Sequence, residues 1–138
     1  MPLEAHIIEM YLQSLTPSQA SARLSPKPEQ SEKSCVFLVN NECAIYPVRP
    51  IICRTHGLPI MYPDRQNIDA CPLNFTDIEF ESIDPQYVFN SESITENLIR
   101  LNLAFSILTG QIEDAGKRIP LTWLLSDRFD LIFTQYSA

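Results

Sequence analysis

The sequence predicts a mainly α fold, a helical domain with a small irregular cysteine-rich metal-binding subdomain that contains a short hairpin. Two helical signals and one cluster carry that expectation. Apolar residues recur at spacings of three and four in Leu3, Ile7, Ile8, Tyr11, Leu12 and Leu15, and again in Ile94, Leu98, Leu101, Phe105 and Leu108. Such spacing lines one face of an α-helix. The cysteines Cys35, Cys43, Cys53 and Cys71 gather in a single stretch, and the rest of the chain has none.

Each element follows from local chemistry. Pro2 suits the first turn of the N-terminal helix, where its missing N–H is not needed. Thr16, Pro17, Ser18 and Gln19 form a capping-box pattern, so a second short helix follows and fades near Leu24. Residues 25–34 carry no aliphatic or aromatic side chain apart from prolines and read as a polar linker. Residues 36–39 and 44–46 flank the turn-prone Asn40, Asn41 and Glu42, which predicts a hairpin with Cys35 and Cys43 at the starts of its strands. Pro47 ends the second strand. Pro50 then opens a helical turn on which Cys53 and His56 lie three apart, before Gly57 stops it. Residues 58–70, with Pro59 and Pro63 among them, read as a long irregular loop that returns the chain to Cys71.

In the second half, Ser93 with Glu96 is expected to cap the long helix, and Gly110 to close it. Its apolar stripe is either core or the seam of a helix pair. Pro120 opens a helical piece with Trp123, Leu124 and Leu125, and Ser126 caps a last helix through Phe129, Leu131, Ile132 and Phe133. The expected organisation is one domain over 1–138, made of N-terminal helices (1–24), the linker (25–34), a cysteine-rich region (35–75) and a C-terminal helical region (76–138).

The bulk composition narrows the class of partner. At 138 residues, 45% hydrophobic and 20% charged, the chain matches an ordinary globular domain. Its formal charge of -7 repels phosphate backbones and anionic lipid, so neither nucleic acid nor a membrane surface is an expected partner. No apolar run approaches the length of a membrane span. Glu4 and Glu9 stand where a signal peptide would be basic and then apolar. A cytoplasmic location is the expectation, and thiols there stay reduced rather than pairing in disulfides.

A metal ion is therefore the expected partner of the four cysteines. Thiolates bind zinc and iron and hold iron-sulfur clusters, and four of them complete a tetrahedral shell. Such a site carries net negative charge, which Arg49 and Arg54 are placed to offset. His56 is a further candidate ligand, within helical reach of Cys53, or else a cap at the end of its turn. Tyr46 reads as a core aromatic, and His6 as a boundary residue of the first helix. The chain has no C-x-x-C knuckle, so spacing does not choose zinc over iron. There is also no phosphate loop, nucleophile elbow or HExxH, so binding outranks catalysis; the alternatives are an iron-sulfur accessory protein or redox enzyme, and a non-metallated helical interaction protein with relic cysteines.

The segment C35-x7-C43-AIYPVRPIIC53-R54, followed by HGLP and C71-P-L-N-F, resembles the YkgJ-like or CxxCxxCC family of zinc- or iron-chelating proteins. The resemblance is strongest over 35–75. It implies a metal-binding role, and through the related flagellin lysine methylases it extends to an iron-sulfur centre, without carrying over their methyltransferase activity. Relatives usually open with C-x-x-C-x-x-C-C, and here no cysteine precedes Cys35. MPLEAHIIE resembles the region that follows that segment. The resemblance thus implies either a physiological start upstream of Met1 or a member lacking half of the ligand set.

Overall fold

The computed structural model describes residues 1–24, 35–62, 64, 67–71 and 74–125. They fall into two compact units, one formed by Met1–Arg49 with the chain from Asn102 onward, the other by Pro50–Leu101. Helix is the dominant element among the described residues. The polar linker and the last helix expected from Ser126 lie outside them.

In the first unit α1 spans Pro2–Ser14, with Pro2, Ala5 and Ile8 buried. The expected capping box is present: Thr16 N donates to Gln19 Oε1 at 2.9 Å and Gln19 N to Thr16 Oγ1 at 3.3 Å. It opens α2, Pro17–Leu24. The hairpin also forms, from β1, Leu38–Val39, and β2, Glu42–Cys43. Asn40 and Asn41 make its turn at φ 53° and 64°. Two successive positive φ values give the turn that suits the twist of a two-residue hairpin, and asparagine tolerates them. The first strand is shorter than expected and the second lies ahead of the expected 44–46, taking in Glu42 from the expected turn, so Cys43 ends β2 and Cys35 precedes β1. Pro47 belongs to a 3-10 turn over Tyr46–Val48, and another 3-10 segment, Leu121–Leu125, is the helical piece expected after Pro120. Ala5, Ile8, Phe37, Ala44, Ile45 and Leu124 close the core, with Tyr11, Leu12, Val36 and Cys43 packed at its edge.

The second unit begins with α3, Ile51–Thr55, whose N-cap is Pro50. The stretch 58–70, expected as an irregular loop, holds two strands among its described residues. β3, Ile60–Tyr62, pairs antiparallel with β4, Asn67–Asp69, and parallel with β5, Phe89–Asn90, in the order β4-β3-β5. Pro59 misled because position matters: it precedes β3, so it bounds the strand and removes no ladder hydrogen bond within it.

Helix α4, Ser91–Leu108, runs from the second unit into the first. Its cap is Asn90, whose Oδ1 accepts from Glu92 N at 2.9 Å and Ser93 N at 3.2 Å, so Ser93 lies inside the first turn. Gly110 closes it at φ 71°. Gln111 N reaches back to Ser106 O at 2.7 Å and Gly110 N to Ile107 O at 3.2 Å, the paired bonds of a Schellman end.

The face that α4 buries is polar. Asn102 and Ser106 are both fully buried, whereas Leu101 and Leu108 are 61% and 87% exposed. Asn102 accounts for this orientation. Its Oδ1 accepts from Leu3 N at 2.9 Å, satisfying a first-turn N–H of α1, and its Nδ2 donates to the carbonyl of Ala115. Asn102→Ala would leave both backbone groups unpaired inside the protein, and an unmade buried hydrogen bond costs about 1–3 kcal/mol per group. The expected outcome is a loss of about 2–3 kcal/mol in urea unfolding. A loss below ~0.5 kcal/mol would show that water reaches both groups.

Candidate metal centre

A different local device places each cysteine. In the first unit the carbonyl of Cys35 accepts from Leu38 N at 2.9 Å, and Leu38 is the cross-strand partner of Cys43. Both cysteines therefore lie on the side of the hairpin away from its turn, Cys35 exposed and Cys43 half-buried. In the second unit Cys53 sits in the middle of α3, its N–H donating to the carbonyl of Pro50 at 3.0 Å. Cys71 follows β4, and its carbonyl accepts from Asn74 N at 2.8 Å. Cys53 and Cys71 are half-buried, and none of the four is in a disulfide.

One contact links the surroundings of Cys53 and Cys71. Asn74 Nδ2 donates to the carbonyl of Gly57 at 2.8 Å, which ties the segment after Cys71 to the end of α3. Asn74 belongs to the C-P-L-N-F string, yet nothing in its spacing marks it as a tether. Gly57 permits the contact twice over. Its φ is 90°, and an added Cβ would lie 2.8 Å from Asn74 Nδ2. Gly57→Ala is thus expected to cost about 1–3 kcal/mol, from the left-handed backbone and the displaced amide together. Chemical denaturation checks this, and an unchanged midpoint would mean that the turn relaxes freely.

The polar neighbours are placed as follows. Arg49 is half-buried, and its guanidinium carbon lies 3.8 Å from the centroid of the Tyr46 ring, a cation-π contact. Tyr46 is 60% exposed, so it is not the core aromatic that the sequence suggests. Cys43, Tyr46 and Arg49 help to line a groove of about 740 Å³ along the hairpin. Arg54 is exposed in the last turn of α3, next in sequence to Cys53. His56 is the C-cap residue of α3 at ψ 124°, so the helical face expected to carry Cys53 and His56 together ends before His56.

As a donor set the four thiols fit zinc or iron. Among the described residues, no three His, Cys, Asp or Glu side chains form a group able to hold a metal ion. Two of the cysteines belong to each unit.

Residues 3–74, just over half of the chain, match the family described as CxxCxxCC, a putative zinc- or iron-chelating domain. The chain belongs to this family. The family match takes in all four cysteines and supports a metal-binding role, with zinc or iron as the cation. No curated protein matches, and no solved structure matches. No helix among the described residues is long and apolar enough to cross a membrane.

Proposed function

We propose that this CxxCxxCC-family protein chelates zinc or iron through Cys35, Cys43, Cys53 and Cys71, with His56 as a further donor and with Arg49 and Arg54 offsetting the charge of the thiolates. The observation that carries this reading is the family match over the same residues that hold every cysteine of the chain. The IYPVRPIICR string supports the YkgJ-like branch of the family. Metal sites in small proteins are commonly completed by the ion they bind, so the proposal does not require the four thiols to be gathered beforehand. A reducing compartment such as the cytoplasm fits this reading, since thiols there stay available as ligands.

Metal analysis with an absorption spectrum, on protein purified without oxygen, tests the proposal. About one zinc or iron per chain, lost when the four cysteines are changed to serine together, is the expected result. An iron-sulfur cluster would add visible absorption that bleaches in air. Protein that takes up neither metal in stoichiometric amount would overturn the reading.

A further inference from the structure

The polar face that α4 buries extends beyond Asn102. Ser106 lies one turn further along the same face and is fully buried. Gln111, the first residue past the Gly110 stop, comes beside it because its N–H donates to the carbonyl of Ser106 at 2.7 Å. Gln111 is only 3% exposed. Asn102 has backbone partners at Leu3 and Ala115. Among the described residues, Ser106 Oγ and Gln111 Oε1 are by contrast closed off from solvent without a hydrogen-bond partner. A serine within a helix commonly turns its hydroxyl to the carbonyl four residues back. Thr109 does the same with its own hydroxyl, donating to the Phe105 carbonyl at 2.9 Å, whereas Ser106 does not. Buried polar atoms left unpaired are costly, and natural interiors rarely keep them.

We propose that Ser106 and Gln111 bind one internal water molecule, which bridges the hydroxyl and the side-chain amide inside the first unit. Water is the ligand that these groups fit. It both donates and accepts, so it serves the hydroxyl in any rotation and the amide whichever of its ends turns inward. A divalent cation would require about six oxygens, several more than this pair supplies. Buried waters are held in this way, by polar side chains that the fold encloses and leaves unserved. The bridge would fasten Gln111 to α4 by its side chain as well as its backbone. The turn leading to Ala115, whose carbonyl receives Asn102, is then fixed at both ends. Both residues lie outside those matched by the chelating family, so the site is independent of the metal reading.

Two measurements on the full chain, made with chelator present, test this. A high-resolution crystal structure should show one ordered water about 2.6–3.2 Å from both Ser106 Oγ and a side-chain amide atom of Gln111. Magnetic relaxation dispersion of the solvent oxygen signal should count one long-lived water fewer in Ser106→Ala and in Gln111→Met than in the parent, with unchanged circular dichroism spectra. Thr109→Ala removes a hydroxyl that is already bonded to Phe105, and should leave the count as it was. The crystal structure needs no variant, so it decides the matter even if a substitution prevents folding. A Ser106 hydroxyl found donating straight to Gln111 would overturn the proposal, as would separate waters on the two side chains. So would a count that neither Ser106→Ala nor Gln111→Met lowers.

Discussion

Cys53→Ser is expected to abolish stoichiometric metal binding, weakening affinity by more than tenfold while leaving the apo protein nearly as stable as before. The exchange keeps almost the volume of the side chain and removes a soft thiolate, so packing changes little and ligation changes much. Cys53 stands in the middle of α3, held by the Pro50 cap, and the Gly57–Asn74 contact ties the segment after Cys71 to the end of the same helix. Binding energy at such a site is also folding energy, so the variant should expose the stretch over residues 58–70 to protease under conditions where the metal-loaded parent resists. Arg54→Ala should weaken binding less, because it removes only a neighbouring charge. Metal content by mass spectrometry and timed proteolysis check both effects. Full metal content with unchanged protease resistance in Cys53→Ser would assign this cysteine to packing and remove it from the proposed ligand set.

Phe37→Ala is expected to cost about 3–5 kcal/mol, the range for emptying a buried aromatic site. The ring is fully buried in the cluster of Ala5, Ile8, Ala44, Ile45 and Leu124. Its backbone also matters, since the Phe37 carbonyl accepts from Ala44 N at 2.8 Å and so holds β2 next to Cys43. A domain of this size is stable by only about 5–15 kcal/mol, so the loss would be a large part of the total. Urea unfolding gives the cost directly, and Phe37→Leu should recover most of it by refilling the site. A cost under about 1 kcal/mol would mean that the cluster collapses around the gap and that Phe37 is no anchor for the hairpin.

These two effects differ in how far the sequence foretells them. The cysteine cluster is plain from composition alone, and the Pro50 turn beneath Cys53 follows from the fixed φ of proline. Phe37 is one apolar residue in a short run, and its full burial depends on α1 and on the segment at Leu124, both remote in sequence. Tyr46 shows the converse. It reads as core beside Ile45, yet Arg49 provides a stacking partner that lets the ring stay at the surface.

By itself the sequence determined the parts whose cause lies within a few residues. The Thr16–Gln19 box, the Asn40-Asn41 turn, the Gly110 stop and the helical piece after Pro120 each depend on neighbouring capping side chains, on residues that tolerate positive φ or on a proline at the start. It also determined that the fold is mainly helical and that every thiol lies in one stretch. Only the tertiary structure decided which way α4 faces, because Asn102 finds its partners on Leu3 and Ala115 and two buried hydrogen bonds outweigh the pull of an apolar stripe. The tertiary structure likewise decided that residues 60–62 form a strand. Their parallel partner is Phe89–Asn90, and no local pattern encodes a pairing across that separation.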